Sequence, residues 1–347
     1  MALDADRFDR SLWGIRYIPG VSIHCPVFGR WTATAEWSGH FYGSGGLDGG
    51  GRFMESVRIK SYRLWIRLAA AQFEARFGLQ KINFGSAALI RPLMWFDRVD
   101  ARDPLQLTDG VVGLLVRYTF LNNANVWCWG LYGNNGVKGW ESIPSTRHDP
   151  EFGGRVQVPV PKGEVALSMH HRRMDVPKTF MDFIPSVRMS APEDRFAVDG
   201  KWDVGVGVWG EAVWSRQQLG IPSVSHQRFV NAGMDYTFGI GSGLHVLSEY
   251  FAVVISDRAW GPGESISFSA LSVDCPLGLL DNLTVLAYAD WENRGWYRFF
   301  SWQRKYDNWS FYLIGFWNPE RFRVVPGPGE RNWFAGRGMQ LMAVWNH

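Results

Sequence analysis

Residues 201–216 read KWDVGVGVWGEAVWSR, a run in which small and apolar residues alternate between two tryptophans. Period two sorts Trp202, Val204, Val206, Val208, Gly210, Ala212 and Trp214 onto one face, and Asp203, Gly205, Gly207, Trp209, Glu211, Val213 and Ser215 onto the other. The first face carries no charge. A strand rising about 3.3 Å per residue sets the tryptophans about 40 Å apart. A tilt of about 45° projects this to about 28 Å, near the ~25 Å apolar band between the aromatic girdles of a membrane barrel. The stretch predicts one long membrane-crossing strand rising from a turn at Asp199-Gly200, with Trp202 at the periplasmic interface and Trp214 at the outer one. A soluble sheet also accommodates such a strand, so the rest of the chain has to decide.

Composition points the same way. The 347 residues include 19 Trp, 23 Phe, 11 Tyr and 39 Gly, with only 20% charged. Many tight turns and two interfacial aromatic belts require that mixture. A net charge of +3 without a basic block excludes nucleic acid as a partner. Cys25, Cys128 and Cys275 are far apart, which predicts isolated thiols and no metal site. The amino end MALDADRFDRSLWG has no apolar h-region, so it is not a signal peptide as written, and a processed chain would look the same. The longest uncharged apolar runs, such as Val111 to Val116, fall far short of the roughly 20 residues of a spanning helix, whereas barrel strands need only about 9–11.

Alternating segments of about that length recur sixteen times from Arg30 to the carboxyl end. RWTATAEWSGHFY sets Trp31, Ala33, Ala35 and Trp37 against Thr32, Thr34, Glu36 and Ser38. SYRLWIRLAA sets Leu64 and Ile66 against Arg63, Trp65 and Arg67. In NVWCWGLYG, Trp127, Trp129 and Leu131 are assigned to the outer face. Pro185 and Pro192 interrupt the eighth segment, between 182 and 198. The links alternate between short ones, such as Leu121 to Ala124 and Tyr306 to Asn308, and long ones, such as 43–55, 85–110, 135–152 and 318–334. The expected fold is therefore all-β: a closed antiparallel transmembrane β-barrel of about sixteen strands, with short periplasmic turns and long extracellular loops. Residues 1–29 precede it as a periplasmic cap or plug, and 30–347 form the barrel. Trp31, Trp37, Trp127, Trp202, Trp214, Trp291, Trp309, Trp317 and Trp345 are the expected aromatic girdle.

The segment ARFGLQKINFGSAALIRPLMWFDRVDARDPLQLTDGVVGLLVRYTF resembles the strand, long loop and strand of porin-like outer-membrane proteins of Gram-negative bacteria. In that family an R-x-G-x-Q-x-I-x-[WF]-G element recurs, present here as Arg76, Gly78, Gln80, Ile82, Phe84 and Gly85. The resemblance implies an outer-membrane channel class and names no substrate.

If the apolar faces meet lipid, the opposite faces line the lumen. Arg63, Arg67, Arg76 and Arg117 then form a basic wall, opposite an acidic one of Glu211, Asp235, Glu249 and Asp290. Such walls resemble the transverse field of general porins, which screens small polar solutes by charge and size. The expected function is a passive channel for such solutes; the alternative is a non-conducting barrel that anchors or scaffolds an outer-membrane complex. Lipid and lipopolysaccharide are the expected surroundings, with other outer-membrane proteins or a second copy of the chain as compatible partners. No catalytic residue, cofactor or metal is expected. His170 and His171 point to opposite faces of a strand, and the glycine runs GSGGLDGGG and GIGSGL lack a strand-to-helix context.

Overall fold

The computed structural model describes residues 12–47, 53–99, 102–176, 189–221, 224–319 and 336–346. Its regular elements are eighteen strands of one sheet. In chain order they are β1 Leu12–Tyr17, β2 Gly20–Pro26, β3 Thr32–Leu47, β4 Phe53–Ala69, β5 Phe73–Gln80, β6 Val111–Thr119, β7 Asn125–Leu131, β8 Glu151–Val160 and β9 Gly163–Asp175. They continue as β10 Ser190–Asp203, β11 Gly207–Gln217, β12 His226–Phe238, β13 Leu244–Ser256, β14 Glu264–Pro276, β15 Asp281–Asp290, β16 Gly295–Lys305, β17 Trp309–Trp317 and β18 Arg337–Trp345.

From β3 to β18 each strand pairs antiparallel with the next, and these are the sixteen strands expected from the alternation. The count rises to eighteen because residues 12–26, expected within a cap or plug, lie along the other edge of β3 as β1 and β2. Together β1 and β2 are one extended run broken at Ile18-Pro19. Proline has no N–H to give the ladder there, and its carbonyl accepts the Gly39 N–H at 3.0 Å. Residues 1–11 of the expected cap lie outside the described residues, as do 320–335 of the expected last long loop.

The stretch 201–216 departs from the single strand expected of it. Asp199 and Gly200 lie within β10, and the chain reverses at 204–206 before β11 begins. Gly205, at φ 95°, takes a backbone conformation that a side chain disfavours. The Val204 N–H donates to the Val206 carbonyl at 3.1 Å, and the Gly205 N–H to Asp203 Oδ1 at 3.3 Å. Asp-Gly and Val-Gly-Val both offer a turn, and period two does not choose between them. Trp202 and Trp214 consequently occupy neighbouring strands, opposite Val208 and Phe196. The six ladder steps from Val208 to Trp214 span about 20 Å along the strand, so the pair still brackets an apolar band.

Alternation holds on both faces. Leu64, Ile66, Phe77, Leu114, Leu167, Phe196, Val230 and Leu271 are exposed on the outer face, while their neighbours in sequence turn inward. An apolar surface continuous over this many strands is one that a bilayer covers. The inner face is concave because β7, β9, β11, β13 and β16, far apart in the sheet, all reach the single connection between β5 and β6. Short turns gather at one rim, called here the turn side, and the longer links at the other.

Candidate functional site

The 81–110 connection is the centre of the interior. Ile82, Phe84, Ile90, Leu93, Trp95 and Phe96 are all buried, and they form one cluster with inward residues of β6, β7 and β10 to β17. Phe84 stacks on Trp129 with centroids 5.5 Å apart, Phe96 meets the His170 ring edge-on at 5.0 Å, and Arg155 lies over the Phe84 ring at 5.3 Å. A second connection, between β7 and β8, packs beside the first. Its Trp140 stacks on Phe251 at 5.1 Å and donates its indole N–H to the Arg91 carbonyl at 2.7 Å.

Two wall carboxylates hold this plug. Glu211 Oε1 accepts the backbone N–H groups of Ser86 and Ala87 at 2.5 and 2.7 Å, and its Oε2 accepts that of Leu93 at 3.4 Å. Glu249 accepts those of Ala88, Leu89 and Ile90 at 2.6, 3.1 and 2.8 Å. Asn231 completes the clamp, donating from Nδ2 to Glu249 at 3.2 Å and to the Ile90 carbonyl at 2.8 Å. A loop inside a barrel has no ladder for its N–H groups, and charged acceptors reaching in from the wall supply one. The connection returns to the wall at Arg63, whose Nη2 donates to the Thr108 carbonyl at 3.0 Å, and through a Lys60–Asp109 ion pair.

The element Arg76, Gly78, Gln80, Ile82, Phe84, Gly85 marks where the chain leaves the wall. Gln80 is fully buried and ties to the Gly113 carbonyl of β6 at 3.0 Å, while Ile82 and Phe84 enter the core. Gly85 sits against the clamp at φ 99°, and a Cβ there would lie 2.5 Å from Glu211 Oε1.

The expected acidic wall is therefore corrected. Glu211 and Glu249 bind the plug; Asp290 accepts the Asn293 N–H at 3.0 Å and its amide at 2.8 Å, fixing the link after β15. Only Asp235 stays partly exposed, 3.8 Å from His245. The basic residues do share the concave face: Arg63 is buried, whereas Arg67, Arg76 and Arg117 stand on the turn side of the plug. Of the girdle residues, Trp127 is misassigned. It faces inward beneath Arg117, 3.8 Å from its ring, and Trp129 and Leu131 turn inward with it. In WCW-type alternation both faces are apolar, and here the inner one meets an apolar plug. Trp31, Trp37, Trp202, Trp214, Trp291, Trp309, Trp317 and Trp345 stand on outward positions or in the adjoining links.

Alternation gave no sign of the ionic cluster between β8, β9, β10 and the β7–β8 link. Lys138, Arg172 and Arg195 oppose Glu141, Glu151 and Glu193, three cations to three carboxylates, all buried. Lys138 Nζ is 2.9 Å from Glu151 and 2.8 Å from the Ser145 hydroxyl, and Arg195 Nη2 is 2.7 Å from Glu193. Arg155 grips Asp199 with both terminal nitrogens at 2.6 and 2.8 Å. Such a balanced network locks the second connection to the wall. Among the described residues no group of three or more His, Cys, Asp or Glu side chains could hold a metal ion.

No protein-family model matches the chain, and no curated protein sequence does. Solved structures do. OccK7 (OpdD) of Pseudomonas aeruginosa superposes with a TM-score of 0.51 at 12% identity, over 89% of this chain and 89% of that one. The fold is that of an outer-membrane β-barrel. Two further similar structures are Wzi of Escherichia coli, a carbohydrate-binding β-barrel involved in group 1 capsule assembly, and an anion-selective porin from Comamonas acidovorans. Wzi superposes at TM-score 0.47 and 11% identity over 87% of this chain and 79% of that one, and the porin at 0.46 and 10% over 96% and 98%.

Proposed function

We propose that the chain is an outer-membrane β-barrel whose lumen is filled by its own 81–110 connection: a non-conducting barrel that anchors or scaffolds an outer-membrane assembly, with lipid and lipopolysaccharide against its apolar outer face. One observation carries this reading. Every strand from β3 to β17 contributes at least one concave-face side chain that is buried, from Ser38 on β3 through Arg63, Gln80, Leu115, Trp129 and Arg155 round to Ile314 on β17. A water-filled lumen keeps its lining polar and wet, whereas buried apolar and aromatic side chains meet across this one at mid-height.

A gated channel for small polar solutes is the second reading. It is favoured by the polar lining on the turn side, where Arg67, Arg76, Arg117 and Asp235 remain partly exposed. Neither reading assigns a catalytic role. His170 is enclosed between Glu151 and Trp129, and Ser145, beside Lys138, is only 1% exposed. Liposome swelling separates the two readings: vesicles carrying the purified protein should not swell in an isotonic pentose solution, and swelling at a porin-like rate would favour the channel.

A further inference from the structure

The three turn-side arginines are underused by the protein. Arg67 on β4 and Arg76 on β5 are directly opposed cross-strand partners on the concave face, and Arg117 on β6 is opposed to Glu74, two residues before Arg76. Like charges in direct cross-strand register are destabilising unless something between them is negative. Glu74 supplies part of that, at 2.9 Å from Arg76 and 3.9 Å from Arg67. Glu36 of β3 is the next inward carboxylate and makes no ion pair among the described residues. Counting Arg67, Arg76 and Arg117 against Glu36 and Glu74 leaves 3 − 2 = +1 on this part of the wall.

Two of the guanidinium groups are also held in place, and Glu74 takes up only part of the donor capacity of the three. Arg76 lies over the Trp65 ring at 4.6 Å and Arg117 over the Trp127 ring at 3.8 Å, which fixes their planes. The Nε atoms of Arg67, Arg76 and Arg117 are all buried without a hydrogen-bond partner. The planar fork of arginine matches the oxygens of a phosphate or carboxylate, and the two forks stacked on aromatic faces lose little side-chain entropy on binding. The side chains of Arg67, Arg76 and Glu74 keep 31%, 18% and 23% of their surface exposed, so the cluster is reachable.

We propose that Arg67, Arg76 and Arg117 form a binding site for a divalent oxyanion on the turn side of the plug. The site stands whether or not the lumen conducts, because it lies on one side of the plug and needs no passage through it.

Calorimetric titration of the folded, full-length protein in detergent with inorganic phosphate at pH 7.5, against chloride at matched ionic strength, tests it. The expected result is saturable one-site binding, weakened at least tenfold in Arg76→Gln and in Arg117→Gln and unchanged in Arg258→Gln, whose side chain is 83% exposed on a distant link. Heat-modifiable migration on gels confirms that each variant is folded. If an arginine variant does not fold, Trp127→Phe replaces it, and the change in tryptophan emission on adding phosphate should then be lost. Binding no stronger than that of chloride would overturn the site, and so would equal phosphate affinity in the wild type and both arginine variants or an emission change that survives Trp127→Phe.

Discussion

Removing the clamp should unseat the plug. Glu211 and Glu249 together accept six backbone N–H groups from residues 86–93. A hydrogen bond to a charged group is worth roughly 1.5–3 kcal/mol net, and a buried donor left without a partner costs about 1–3 kcal/mol. Water entering the space left by a truncated side chain would satisfy some donors, so the low end applies. Glu211→Ala or Glu249→Ala then shifts the seated plug by about 4 kcal/mol, or roughly a thousandfold in its equilibrium. The double variant falls short of twice that because both carboxylates grip one segment. Cysteine introduced as Ala87→Cys, at a buried position of the plug, reports its seating through the labelling rate by a membrane-impermeant thiol reagent, with the other cysteines replaced. Labelling should be slow in the parent and about a hundredfold or more faster in the double variant, with ion conduction appearing alongside. Equal labelling rates in a folded double variant would refute the clamp.

Three further outcomes follow from the same geometry. Gly85→Ala should destabilise the barrel by about 1–2 kcal/mol, through positive φ and the 2.5 Å approach to Glu211, read as a lower urea midpoint in detergent. Equal midpoints would show that the plug does not rest on the carboxylate. Arg155→Ala leaves buried Asp199 without its cation and should cost about 3–5 kcal/mol, whereas Arg173→Ala, at an exposed pair, should cost less than about 1 kcal/mol. In vesicles of brominated lipid, Trp309→Phe and Trp345→Phe should each reduce the quenched fraction of emission and Trp129→Phe should not reduce it; the reverse would invert the assignment of the two faces.

The wall was legible in the sequence, because a bilayer on one side imposes period two on every strand that crosses it. The sixteen segments and the outward positions of Leu64 and Ile66 follow from that constraint alone. The turn at Gly205 was not fixed by it, since Asp199-Gly200 supplies equally good turn chemistry one short step earlier. Residues 12–26 were also hidden, because an edge strand exposed on both faces carries a weaker alternation. For the interior, the sequence identified residues and missed roles. Glu211 and Glu249 stand on the inner face as expected, but a carboxylate in an open lumen and one that binds a loop have the same neighbours in sequence. Apolar alternation in β7 reads as lipid-facing and predicts an outward Trp127, and only the apolar plug opposite β7 explains its aromatic inner face. The R-x-G-x-Q-x-I-x-[WF]-G element, read from resemblance, has a physical role here as the hinge by which β5 gives way to the plug.

Single-channel recording of the purified wild-type protein in planar bilayers tests the filled lumen most directly. The predicted record is silent at moderate voltage, with openings appearing only in the Glu211→Ala, Glu249→Ala protein. Steady wild-type openings of porin size would contradict the account.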